Sequence, residues 1–153
     1  MRKFILTISI FVAALAACSP SAPVAPASAI EISQATILLP GNNAMGAMDM
    51  SSNLAGYMQI KNTSDSADRL IAVSTDFADA MLHESIMEGD VMKMNEVSGI
   101  DLPAGSTVEL KTGGYHIMFT NLQKEVKVGD TVNLTLKFEN AGTMTIPVTI
   151  ASR

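Results

Sequence analysis

The sequence predicts an all-β domain, and three observations carry the prediction. From Ile30 onward apolar and polar residues alternate with a period of two. Gly, Asn or Asp breaks the alternation about every eight to twelve residues, the rhythm of a sandwich or barrel. No convincing long helix and no internal repeat interrupts the pattern. In order, the first candidate strands fall at residues 32–38, 56–61 and 69–74 as short alternating runs between breakers. Residues 80–87 and 91–97 flank Gly89-Asp90, a pair suited to a two-residue hairpin connection. Residues 107–110 and 115–121 follow. The clearest strand is 131–139, with Val132, Leu134, Leu136 and Phe138 on one face and Asn133, Thr135, Lys137 and Glu139 on the other. Asn140-Ala141-Gly142 turns the chain into 143–151, where Met144, Ile146, Val148 and Ile150 alternate with Thr145, Pro147 and Thr149. Proline cannot donate to a ladder, so this last strand is expected at an edge or with a bulge at Pro147.

Ahead of the domain stands a different kind of sequence. Met1-Arg2-Lys3 is a cationic start, and the apolar run 4–17 is interrupted only by Thr7 and Ser9. It falls short of the ~20 apolar residues of a spanning helix and reads as a secretory leader. The run ends in Leu15-Ala16-Ala17-Cys18, which resembles the bacterial lipobox, in which the Cys is alkylated by diacylglycerol, the chain is cut before it and the new amine is acylated. Several acyl chains anchor stably where one ~14-carbon chain binds only marginally. The expected organisation is a signal peptide at 1–17, a lipidated Cys18 with a Pro/Ala/Ser tether to residue 30, and a folded domain at 31–153. The tether has the composition of an extended linker. Ser19 after the Cys resembles the sorting pattern of Gram-negative lipoproteins kept at the periplasmic face of the outer membrane.

Composition excludes several functions. The chain has 153 residues and a formal charge of −5, and removing the leader with Arg2 and Lys3 takes the charge to −7. One domain is expected at that length, and the acidity argues against nucleic acid, whose phosphates require a basic face. There is no Trp, and aromatics make up 5%, so a stacking platform lacks material. Methionine stands out at eleven residues, against two His and one Cys. With Cys18 committed to a lipid, chemistry rests on thioethers, two imidazoles, hydroxyls and carboxylates.

The imidazoles and thioethers fall into register. In the hairpin around Gly89-Asp90, Glu88 faces Val91 and Ser85 faces Met94, so His83, Ser85 and Met87 share a face with Met92 and Met94. His83 and Met94 are diagonal neighbours with backbones ~7–8 Å apart, within reach of one ion. In Tyr115-His116-Ile117-Met118-Phe119 the aromatics and Ile117 form the natural core face, leaving His116 and Met118 together on the opposite face. Thioethers are soft, uncharged donors that suit Cu(I) and bind hard cations poorly. A single methionine is more simply read as adaptable packing; two His and two or three Met from separate strands favour a metal. Met58, Met81 and Met144 are expected to pack.

His83, ten residues, Met94, twenty-one residues, His116, one residue, Met118: this spacing resembles the H-x10-M-x21-H-x-M pattern of the PCuAC (DUF461) periplasmic copper chaperones. Flanking segments are similar as well: Gly56-Tyr57-Met58, Ala67-Asp68-Arg69-Leu70, and Leu102-Pro103-Ala104-Gly105 leading to Gly114-Tyr115-His116. The resemblance covers roughly residues 31–153. It implies a cupredoxin-like Greek-key β-barrel or sandwich of about eight to nine strands without a blue-copper centre. Cu(I) would be held by His83, Met94, His116 and Met118. The acceptor would be the Cu(A) site of a cytochrome oxidase subunit, another copper chaperone or another envelope cuproprotein. Met92 shares a face with Met94 and could serve in its place, although the spacing favours Met94. Thr112 stands where the family commonly has Pro before Gly-Gly, and the chain lacks the His/Met-rich tail of some members.

One segment exceeds the pattern. Met45, Met48 and Met50 lie within six residues of a Gly/Asn-rich loop, where they could capture Cu(I) transiently or merely cover apolar surface. Other functions fit less well. An electron-transfer cupredoxin needs a Cys thiolate. A hydrolase needs a base beside a nucleophile; His83 with Glu84 or Ser85 is the best candidate, but Glu84, next to His83 in a strand, aims to the other face. A zinc site using both His with carboxylates leaves the methionines unexplained. No enzyme activity is expected. A copper-sequestering or tolerance lipoprotein, and a metal-free all-β interaction lipoprotein, are the alternatives.

Overall fold

Strand pairing absorbs nearly all of the alternating runs. The computed structural model describes residues 29–39 and 53–152. Its elements are β1 (Ile30–Leu39), β2 (Leu54–Asn62), β3 (Asp68–Ser74), β4 (Asp79–Glu88), β5 (Val91–Glu96), β6 (Ile100–Leu102), β7 (Thr107–Leu110), β8 (Tyr115–Thr120), β9 (Thr131–Phe138) and β10 (Thr143–Ser152). Among the described residues every such element is a strand, as the alternation predicts. Ten strands stand where about eight or nine were expected. The added one, β6, has three residues, too few for a period of two to register. The leader, Cys18 and the tether up to residue 28 lie outside the described residues, and so does the Met45–Met50 loop. β1 starts at Ile30, whose side chain is buried in the core, one residue ahead of the expected domain start.

The strands form one open mixed sheet in the order β5-β4-β8-β2-β1-β10-β9-β3-β6, with β7 also on β2. All pairings are antiparallel except β1 with β10. One side of β2 is divided: Leu54, Ala55 and Gly56 pair with β8, while residues 58–61 pair with β7. The expectation for Pro147 needs correction. β10 is an interior strand, and its ladder with β9 runs without a bulge through Pro147 opposite Asn133. The irregularity sits in the neighbour: β1 shifts register between Ser33 and Thr36, Gln34 has φ 53°, and pairing with β10 begins only at Thr149. Pro147 therefore meets a ladder on one side alone, where its missing N–H is tolerated.

Alternating residues of these strands meet in a single core. Ile37, Ile60, Leu70, Ile117, Leu134 and Leu136 are fully buried, each such side chain contributing about 1.5–3 kcal/mol over its exposed state. Phe77 stacks on Phe119 with ring centroids 5.3 Å apart. At the far end of the sheet Asp68 joins β3 to the β9–β10 turn by accepting hydrogen bonds from the backbone N–H groups of Asn140 and Ala141, each at 2.9 Å. Burial raises the Asp68 pKa, but these bonds and that from the Arg69 N–H outweigh it, and the carboxyl lies below its ordinary value.

β2 approaches β8 closely because Gly56 has no side chain. A Cβ there would lie 2.9 Å from Phe119 Cε2 and 3.3 Å from Ile117 Cβ, and both of those residues are fully buried. Gly56→Ala should thus overpack the β2–β8 seam and destabilise the domain by about 1–3 kcal/mol. Urea denaturation checks this; a midpoint equal to that of the unaltered chain would mean the seam has slack.

Candidate metal centre

The two imidazoles are brought together by strand pairing. β4 and β8 run antiparallel with His83 directly opposite His116 and Met81 directly opposite Met118. Opposite residues share a face, so the four side chains form two adjacent rungs, one of imidazoles and one of thioethers. The His ring centroids are 5.8 Å apart with an interplanar angle of 60°, a separation that lets one ion lie between them. On the other side of β4, the hairpin has the register expected from Gly89-Asp90: Glu88 opposite Val91, Met87 opposite Met92 and Ser85 opposite Met94. Gly89 takes φ 62° to close that turn. His83 sits opposite Glu96, which places Met94 on its diagonal.

The turn before β8 orients His116. The Lys111 N–H donates to the Tyr115 carbonyl at 2.7 Å and the Gly114 N–H to the Lys111 carbonyl at 3.1 Å, with Gly113 at φ 81°. This turn presents the Gly114 carbonyl to two donors: the Ser85 N–H at 3.0 Å and His116 Nδ1 at 3.1 Å. A carbonyl can only accept, so Nδ1 carries a proton, and in the neutral ring Nε2 keeps its lone pair. Such a second hydrogen bond fixes tautomer and ring orientation in metal-ligating histidines. His116 is 6% exposed. Thr112, where the resemblance has Pro, lies in the turn without contributing any of these bonds.

His83 presents a different signature. Its Nδ1 is buried and has no hydrogen-bond partner, a state that costs about 1–3 kcal/mol for a polar atom and that a ligand on this nitrogen would relieve. The His83 pKa is lowered, first by burial and then by the proximity of His116, with Glu96 opposing. Burial and His116 both favour the neutral ring, the form that metals require. Among the described residues no three His, Cys, Asp or Glu side chains gather as a metal site. The side chains next to the two rings on this face are the thioethers of Met81 and Met118.

The thioethers divide by exposure. Met118 is half-buried beside His116. Met94 is 60% exposed and Met92 is 56% exposed. Of the methionines expected to pack, Met58 is buried in the core and Met144 packs against it. Met81 differs from that expectation: it is half-buried and stands opposite Met118, on the imidazole face. The alternation of β4 puts Met81 in line with His83, a signal present in the sequence, but only the β4–β8 pairing gives it a partner. Glu84 is opposite Tyr115, on the face away from His83.

Fold and sequence similarity place the chain with a class, the PCuAC domains. The chain is similar to the copper-bound PCuAC domain from PmoF2, with 28% identity over 82% of this chain and 94% of that one and a TM-score of 0.63. It is also similar to the solution structure of CuI-DR1885 from Deinococcus radiodurans, with 28% identity over 82% of this chain and 81% of that one and a TM-score of 0.58. The apo form of DR1885 aligns over 99% of this chain and 97% of that one at 26% identity and a TM-score of 0.60. Residues 26–150 match the family described as "Putative lipoprotein LpqE-like", and the chain belongs to that family. A relative from Leifsonia xyli subsp. xyli (strain CTCB07), described as "Putative lipoprotein Lxx21020", is 31% identical over 98 residues. That match spans 63% of this chain and 59% of the relative's length.

The surroundings of His83 set its proton affinity in the apo protein. Because its folded pKa lies below the ordinary imidazole value of 6.5, the neutral ring persists to lower pH than in an unfolded chain. Its contribution to stability is complete above the unfolded value and is lost as pH falls through the folded one. NMR titration of the apo domain should show His83 protonating below the ordinary imidazole range. Glu96→Gln, which removes the opposing carboxylate, should move it lower still; an upward move would contradict the arrangement.

Proposed function

We propose that this protein is an envelope Cu(I) chaperone. His83, His116, Met118 and Met94 hold the ion, and the protein passes it to a copper acceptor in the same compartment. The observation that carries this reading is the rung of two facing imidazoles with thioethers on the same face. One ring is locked with Nε2 free, and the other keeps a buried, unpartnered nitrogen. The copper bound by the PmoF2 domain and the Cu(I) bound by DR1885 support copper as the cargo. Two imidazoles and neutral thioethers suit Cu(I) better than a hard cation.

The exposure of the donors favours delivery over storage. A sequestering protein benefits from a closed shell, whereas Met94 is 60% exposed on an outer strand. An acceptor can replace its sulfur while both rings retain the ion. A Cu(A) site offers thiolates, which are charged and softer, so exchange to it runs downhill. The cytochrome oxidase Cu(A) subunit is accordingly the acceptor we propose. Anchoring through Cys18 at the periplasmic face of a membrane, the outer membrane by the Ser19 pattern, would hold the carrier in the compartment where such acceptors mature. The lipoprotein family supports the anchor.

Transfer is tested by mixing the Cu(I)-loaded protein with a reduced, metal-free Cu(A) domain and measuring copper on each after separation. Copper should move to the Cu(A) domain; retention on the donor would count for sequestration. Met118→Leu keeps the bulk but removes the sulfur, and should lower Cu(I) affinity with the fold intact by circular dichroism. His116→Ala should abolish stoichiometric binding. A Met118→Leu protein that binds as tightly as the unaltered one would overturn the ligand set. Cys18→Ser should abolish labelling by a palmitate analogue without altering copper binding, and persistent labelling would rule out the anchor.

A further inference from the structure

The β4–β5 hairpin carries more sulfur than the four-donor site uses. Among the described residues five large apolar side chains are strongly exposed, and three are methionines of this hairpin: Met87 at 61%, Met92 at 56% and Met94 at 60%. They share one face. Met87 is directly opposite Met92, and Met94 follows Met92 two residues on, diagonal to Met87. The reverse face carries no sulfur: Lys93 pairs with Glu88 and stands opposite Ile86, Val91 stands opposite Glu88, and Asn95 opposite Glu84. β5 is exposed along its whole length and ends the sheet.

We propose that Met87, Met92 and Met94 form a second, weaker Cu(I) site, a staging point between solvent or a partner and the imidazole rung. Directly opposite side chains have Cβ atoms ~4.5–5.5 Å apart and diagonal ones ~7–8 Å. Three long, unbranched methionine side chains span such distances with freedom to spare. Three thioethers and no charge make a ligand set selective for a soft monovalent ion. With no nitrogen donor it binds more weakly than the site at His83 and His116. The inference rests on the Cu(I) reading above and extends it. Met94 is diagonal both to His83 and to Met87, so its sulfur can belong to either site. In the passage outward, the Met94–copper bond persists while the bonds to the two imidazoles and Met118 break and those to Met87 and Met92 form. The ion stays Cu(I) throughout, and no proton or electron is exchanged.

The chain from Ser19 retains every core residue of the sheet and lacks the Cys18 thiol. Labelled with 13C at the methionine methyl groups, it is titrated anaerobically with Cu(I) and followed by NMR. The first equivalent should shift Met118 and Met94; the second should shift Met87 and Met92 and move Met94 again, as its sulfur passes to the outer ion while His83, His116 and Met118 keep the inner one. Met87→Leu/Met92→Leu keeps the apolar bulk without the sulfur. It should bind the first equivalent unchanged, bind the second about tenfold more weakly or not at all, and release copper more slowly to a Cu(I) chelator. Unshifted Met87 and Met92 methyls at two equivalents would overturn the staging site. So would a double variant that retains the second equivalent, whether at the Met45, Met48 and Met50 loop or elsewhere. A first equivalent that failed to shift Met118 would instead count against the imidazole site, so the two readings fail separately.

Discussion

Antiparallel pairing of β4 with β8 is the constraint on which the site depends. It sets His83 against His116 and Met81 against Met118, residues more than thirty positions apart in the chain. The same strands give their other faces to the core through Leu82, Ile117 and Phe119. A slip of one residue would exchange these two sets, putting imidazoles into the core and apolar side chains on the surface. Burial of the apolar set therefore holds the imidazoles in register. Gly56 permits the next strand to close on β8, so tight packing braces the platform beneath His116 and Met118, while the Gly114 carbonyl orients the His116 ring.

Much of this geometry can be read from the alternation alone. The hairpin register around Gly89-Asp90 follows from turn length, and the separation of His116 and Met118 from Tyr115, Ile117 and Phe119 follows from a period of two; both occur as expected. What the sequence does not carry is which distant strands are neighbours. His83 and His116 occur in strands separated by β5, β6 and β7, and nothing local states that β4 lies against β8. For the same reason Met81 reads as packing until its partner is known. β6 is too short to show a period, and Pro147 misleads because the adjustment it requires was made in β1. The His116 tautomer likewise depends on the Gly114 carbonyl, a backbone group set by turn conformation.

Carrying copper calls for tight retention together with a route for release, and the donors here divide along that line. The imidazoles and Met118 lie at or below the surface, where an oriented ring and an unpartnered nitrogen would have the proposed shell ready before the ion arrives. Met94 and its neighbours on the hairpin are exposed and uncharged, so they can exchange without a charge being stranded. The fold thus offers the proposed shell a rigid half and an accessible half, drawn from three adjacent strands.

The central claim is that nitrogen from both rings and sulfur from methionine hold one Cu(I) together. X-ray absorption at the copper edge, on protein loaded with one equivalent under reductant, reads this directly. The account predicts a mixed first shell of imidazole nitrogen and thioether sulfur that loses nitrogen in His116→Ala and sulfur in Met118→Leu. A shell made of nitrogen and oxygen alone, or of sulfur alone, would contradict it.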